Sequence, residues 1–173
     1  MGNISLSSSI QKAMPLVGLI LAAALASAVA AATPKPSCDP LAKLSGDWKG
    51  GGTVVPADGK PKEVSCSETY RLTGSNITQN QRCTGNDYEI NTTLKLSCKA
   101  GKIKGSWNET TYAASGGATG TARGNLIHVI LTGDKFSGRM SINVSDAGHS
   151  INILKLDSKS GTYRLATSLT LGR

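Results

Sequence analysis

Val64-Ser65-Cys66-Ser67-Glu68-Thr69-Tyr70-Arg71-Leu72-Thr73-Gly74-Ser75-Asn76-Ile77-Thr78-Gln79-Asn80-Gln81-Arg82-Cys83 is the stretch on which the reading of the fold turns. Val64, Cys66, Tyr70 and Leu72 alternate with Ser65, Ser67, Thr69 and Arg71, the period-two pattern of a strand with one buried face. Gly74-Ser75 suits a two-residue hairpin turn with glycine first. A hairpin centred there sets Leu72 against Ile77, Tyr70 against Gln79, Glu68 against Gln81 and Cys66 against Cys83. Opposed Cβ atoms lie about 4.5–5.5 Å apart, close enough for a disulfide. Four cysteines allow three connectivities. This register favours Cys66–Cys83 and leaves Cys38–Cys98 to tie an early segment to the sheet.

The same alternation recurs along the chain. It appears in Tyr88-Ile90-Thr92-Leu94-Leu96-Cys98, Ile103-Gly105-Trp107, Phe136-Gly138-Met140-Ile142-Val144 and Tyr163-Leu165-Thr167-Leu169-Leu171. Turn residues separate these runs at short intervals: Gly85-Asn86-Asp87, Ala100-Gly101, Gly116-Gly117, Gly133-Asp134, Ala147-Gly148 and Ser158 to Gly161. The spacing predicts an all-β antiparallel up-and-down meander of about nine or ten strands. A meander of that size closes into a barrel, or packs as a two-sheet sandwich, because an open sheet would leave bare edges.

Before Leu44 the chain has a different character. Residues 1–32 open on a polar stretch holding Lys12, pass through Met14-Pro15-Leu16-Val17-Gly18-Leu19-Ile20-Leu21, and end in an alanine-rich tail. A weakly basic start, a short apolar run and small residues at A-x-A spacing predict a cleavable signal peptide and a periplasmic or secreted product. The apolar run falls short of the roughly 20 residues that span a bilayer, so stable membrane insertion after cleavage is not expected. Residues 33–43, with Pro34, Pro36 and Pro40, are expected as an extended lead-in, and 44–173 as a single domain. An even set of cysteines beyond the signal agrees with an oxidising compartment. No pair has C-x-x-C spacing, so neither a metal nor another cofactor is expected.

Without Lys12, 18 of the 19 basic residues remain against 11 acidic ones, a net charge of +7. The basic residues are dispersed, and no run forms a nucleic-acid patch. Aromatic residues are few: one Phe, two Trp and four Tyr. The core must rest mainly on Ile, Leu and Val.

Gly46-Asp47-Trp48, placed in the first strand, resembles the G-x-W of lipocalin-like, or calycin, barrels. That resemblance implies that Trp48 plugs one barrel end and that a basic residue of the last strand, Arg173 or else Arg164, packs on its ring. A cation over an indole face contributes about 0.5–2 kcal/mol. The wider pattern of "GDWKGGGTV", "CSETY", a second cysteine, "GKIKGSWNET" and "SLTLGR" is similar to a group of small exported bacterial proteins of unestablished activity. There is a looser resemblance to barrel-type metalloprotease inhibitors, whose inhibitory amino-terminal segment has no match here.

Strand parity puts two carboxylates on apolar faces: Glu68 with Cys66 and Tyr70, and Glu109 with Trp107. An inward acid is costly unless it is hydrogen-bonded or paired. Such residues are candidates for ligand contact. Their plainer role is at a hydrated barrel end or beside an arginine. His128 reads as a strand histidine and His149 as a turn residue. No G-x-S-x-G, H-E-x-x-H or P-loop pattern occurs.

The expected function is therefore non-catalytic: binding of a small, partly apolar ligand lined by Trp48, Tyr70, Trp107, Glu109 and Glu68. An envelope protein-interaction module, such as a protease inhibitor, is the alternative. A hydrolase using Glu68 and Glu109 ranks last. A carrier requires a cavity of roughly 300–1,000 Å³. An inhibitor requires a presented segment near 33–43, and an enzyme requires the two carboxylates in one pocket.

Overall fold

A computed structural model describes residues 34–56 and 58–173; the expected signal segment lies outside the described residues. Ten strands follow one another: β1 Gly46–Val54, β2 Lys62–Thr73, β3 Asn76–Thr84, β4 Glu89–Lys99, β5 Lys102–Glu109, β6 Ala114–Arg123, β7 Leu126–Thr132, β8 Gly138–Val144, β9 Gly148–Leu156 and β10 Tyr163–Gly172. Each pairs antiparallel with the next, and β10 pairs with β1, so the sheet is a closed barrel rather than a sandwich. Closure leaves no free edge.

The β2–β3 hairpin has the register that its turn requires. Leu72 faces Ile77, Tyr70 faces Gln79, Glu68 faces Gln81 and Cys66 faces Cys83. Gly74 takes a left-handed φ of 59°, which glycine adopts at no steric cost. Cys66–Cys83 and Cys38–Cys98 are both disulfide-bonded.

Three features depart from the sequence reading. Gly116-Gly117, expected as a turn, lies inside β6. A bulge interrupts β10 between Leu165 and Thr167. An inserted residue reverses the face on which later side chains point. Leu165 is therefore half exposed on the outside, while Ala166 and Thr167 face the interior and Leu169 and Leu171 are buried. The lead-in is also not extended throughout. Pro36 bridges Arg123, the Ser37 amide donates to the Ala122 carbonyl, and Cys38 is bonded to Cys98. The chain then makes one helical turn, α1 (Asp39–Lys43), with Pro40 early in it, where a missing N–H has no intrahelical partner to lose. Burial of Pro40, Leu41 and Leu44 favours the turn over an extended path.

Inward positions are strongly apolar on β7 and β8, with Ile127, Val129, Leu131, Met140, Ile142 and Val144 all buried. On β6 the wall is built from small residues, Ala114, Gly116, Ala118, Gly120 and Ala122, and Gly105 of β5 adjoins them. A side chain at Gly105 would place its Cβ 1.9 Å from the Lys95 carbonyl oxygen, and one at Gly120 would meet the His128 carbonyl oxygen at the same distance. Only glycine permits that approach, and it lets the sheet curl tightly.

Candidate functional site: a barrel closed at one end and open at the other

The β2–β3, β4–β5, β6–β7 and β8–β9 turns lie at the end where α1 sits. At this closed end Trp48 is 1% exposed. Its indole N–H donates to the Leu44 carbonyl at 2.7 Å, and the Arg173 guanidinium lies 4.6 Å from its ring centroid. Arg173 Nη2 also donates to the carbonyls of Lys43 and Ser45, so the last residue of the chain fastens α1 over the barrel end.

Beneath Trp48 is a buried polar knot. His149 Nε2 lies 3.0 Å from Glu68 Oε2, and both side chains are fully removed from solvent. The Gln81 carboxamide donates to Glu68 Oε1. The His149 ring meets Trp48 and Tyr70 edge-on at 4.8 and 5.7 Å between centroids. Burial holds the ionisation of Tyr70 well above the ordinary tyrosine range, and the nearby Glu68 carboxylate adds to the effect. Among the described residues Tyr70 Oη and His149 Nδ1 have no partner in hydrogen-bond geometry; the Glu68 carboxylate raises the ionisation of the hydroxyl and the Gln79 carboxamide opposes it.

His149 is thus a correction to the sequence reading. It is the second residue of β9, not a turn residue. Its parity with the buried Ile151 was the available signal. Glu68 is paired with this histidine and not with an arginine. His128 points outward and is exposed, with Nδ1 3.1 Å from Ser141 Oγ.

Toward the open end the barrel contains a cavity of about 580 Å³. Its walls are mostly apolar: Ile90, Leu94, Trp107, Leu131, Met140 and Ile153 among them. Trp107 packs edge-on against Phe136 at 5.7 Å, and its indole N–H donates to the Thr132 carbonyl at 3.2 Å. Gln79 and Gln81 reach the cavity from the side of the buried knot. The mouth carries Lys62, Lys135 and Lys155, together with Asp58, Asp87, Tyr88 and Tyr112. Lys62 and Asp87 form an ion pair at 2.8 Å that keeps each group charged over a wider pH range. Burial, and then the neighbouring Tyr112, push the Tyr88 hydroxyl up to about 12.

Glu109 lines the cavity but is already saturated. Its Oε1 accepts the amides of Asn91 and Thr111, and its Oε2 accepts that of Tyr112. It fastens the β5–β6 turn, where Ala113 adopts a left-handed φ of 51°.

Of the five residues expected to line a ligand site, Trp107 and Glu109 border the cavity. Trp48, Tyr70 and Glu68 are packed into the closed end below. The two carboxylates belong to one cross-strand row, Glu68–Gln81–Thr92–Glu109. Three strand spacings separate them by about 14 Å along the sheet, and strand tilt raises the Glu109 end of the row by about 9 Å along the axis. They do not converge on one pocket.

No family model matches the chain, and no curated protein matches it. Solved structures do. Rv2717c from M. tuberculosis superposes with a TM-score of 0.62 at 15% identity, covering 79% of this chain and 96% of that one. The S-type phycobiliprotein lyase CPES from Guillardia theta gives 0.54 at 14%, covering 78% and 90%. A DUF3598-family protein of unknown function from Nostoc punctiforme gives 0.53 at 13%; the match covers 81% of this chain and half of that one. At these identities the likeness is one of fold: the chain shares its barrel architecture with all three.

Proposed function

We propose that this protein is an exported, non-catalytic barrel that binds a small, partly apolar ligand in its open end. The cavity carries this reading: about 580 Å³, mostly apolar, with a few polar groups at its floor and mouth. Those are the features of small-molecule sites. The fold shared with a phycobiliprotein lyase supports a small-molecule role. Two disulfides agree with an oxidising compartment, and the signal-like residues 1–32 give the route to the periplasm or medium. Among the described residues no helix is long and apolar enough to cross a membrane. The lead-in that an inhibitor would present is tied down at Pro36, Ser37 and Cys38, which favours the cavity over that segment.

The test is native mass spectrometry of the mature protein purified from its own envelope, followed by titration with 1-anilinonaphthalene-8-sulfonate. The expected result is a reproducible extra mass lost on denaturation, or, from bare protein, saturable dye binding that quenches Trp107. A bare protein that leaves the dye unbound overturns the proposal.

A further inference from the structure

Two polar groups in the cavity are not accounted for by the barrel itself. The first is Gln79, at the inner end. It is 5% exposed and reaches the cavity; its carboxamide acts on the Tyr70 hydroxyl across the strand pair but reaches hydrogen-bond geometry with no side chain among the described residues. Its neighbour Gln81 is engaged by Glu68. Buried amides are almost always partnered, so an unpartnered one facing a cavity calls for an explanation.

The second is Lys155, at the mouth. It continues the inward parity of His149, Ile151 and Ile153 on β9 and lines the cavity. It joins none of the ion pairs formed by the described residues. Among the described residues Lys135 beside the mouth donates only to the Tyr112 carbonyl, at 3.2 Å. The carboxylates that line the cavity are mostly committed. Asp87 is held by Lys62, and Glu109 by three amides. Among the described residues Asp58 accepts only the Lys60 amide. Three cations and three carboxylates line the cavity, and the two lysines outside any ion pair of the described residues are Lys135 and Lys155.

We infer that the ligand is polar at both ends: an anionic group at the mouth against Lys155 and Lys135, an apolar body along the Trp107 wall, and a hydrogen-bonding group at the floor against the Gln79 carboxamide. This rests on the cavity being a ligand site. A plain hydrocarbon end would strip water from Gln79 and leave the amide unpaired, whereas a hydroxyl or carbonyl would replace that water. From Tyr88 at the mouth to Leu94 at the floor the strand covers about 20 Å, or about 15 Å along a tilted barrel's axis. A twelve-carbon chain suits that depth.

Displacement of 1-anilinonaphthalene-8-sulfonate from the mature protein by dodecanol, dodecanoate and 12-hydroxydodecanoate tests both ends. The hydroxy acid is expected to bind about tenfold more tightly than dodecanoate. Dodecanoate should bind several-fold more tightly than dodecanol, by a margin that shrinks with added salt. Gln79→Leu should reverse the first preference, and Lys135→Gln with Lys155→Gln should abolish the second. Dodecanoate binding as tightly as the hydroxy acid overturns the floor assignment, and dodecanol matching dodecanoate overturns the mouth assignment. In both cases the cavity remains a binding site. Dye and all three chains failing to bind would remove the ligand-site reading itself, and this inference with it. Should Gln79→Leu not fold, the ranking on the unaltered protein decides.

Discussion

Trp48 and Trp107 each stand two residues after a glycine on an inward-facing strand position, yet they sit at opposite ends of one barrel and do different things. Trp48 is covered by α1, bridged by Arg173 and packed on His149. Trp107 is almost as well removed from solvent, but part of its ring lines the cavity. The closed end spends its side chains on filling space, including a buried Glu68–His149 pair. The open end spends them on a wall. A short sequence motif therefore carries no function apart from its position along the barrel axis.

The largest expected effect comes from breaking the plug. Trp48→Ala should lower stability by about 3–5 kcal/mol, whereas Trp107→Ala, already lacking neighbours on its cavity side, should cost about half as much. Urea denaturation of both variants checks this. Equal losses would mean that the two ends are packed alike. Dye binding should survive the first substitution, if the variant folds, and fail in the second.

The polar knot comes next. Glu68→Leu alone strands His149 and should cost about 3 kcal/mol, because removing one partner of a buried pair leaves the other uncompensated. Adding His149→Leu should recover most of that loss, as apolar replacements of a whole buried pair often do. A double variant no better than the single one would show that the knot does more than satisfy its own polar atoms.

Alkaline pH separates the two ends by their tyrosines. The folded-state value of Tyr88, about 12, lies above the ordinary 10.0. The fold thus favours the neutral phenol, and its contribution is intact below about pH 10 and lost as pH rises from there to about 12. Tyr70 is raised further by burial. Absorbance at 295 nm should show Tyr88 ionising near pH 12 with the barrel intact, and Tyr70 ionising only on unfolding. Tyr70 titrating in the folded protein would mean that the closed end admits water.

The smallest effect concerns a turn. Ala100 holds a left-handed φ of 49° ahead of Gly101, where Asn is better accommodated. Ala100→Asn should raise stability by about 0.5 kcal/mol, visible as a higher denaturation midpoint with no change in dye affinity.

Much of the barrel was legible in the chain. Alternation and turn spacing imply a meander, and the Gly74-Ser75 turn alone implies that Cys66 opposes Cys83. Less of the site was legible. His149 follows Ala147-Gly148 and so looks like part of a turn, although its parity with Ile151 points inward. The β10 bulge hides Leu165 on the wrong face, since one inserted residue cannot be read from a run that alternates cleanly on either side of it. The short helix at Asp39–Lys43 was masked by Pro40, which is a breaker inside a helix but harmless at its start.

Local periodicity and turn chemistry act between residues close in sequence, so the sequence by itself determined the strands, their neighbours and the disulfide across the β2–β3 hairpin. Closure is different. Pairing β1 with β10 joins the two ends of the domain, and strand tilt then turns a level row of residues into a climb along the axis. That geometry alone put Glu68 in a sealed knot beside His149 and Glu109 at an open mouth. The height of a side chain in a barrel depends on the stagger of the whole sheet, which no single strand encodes.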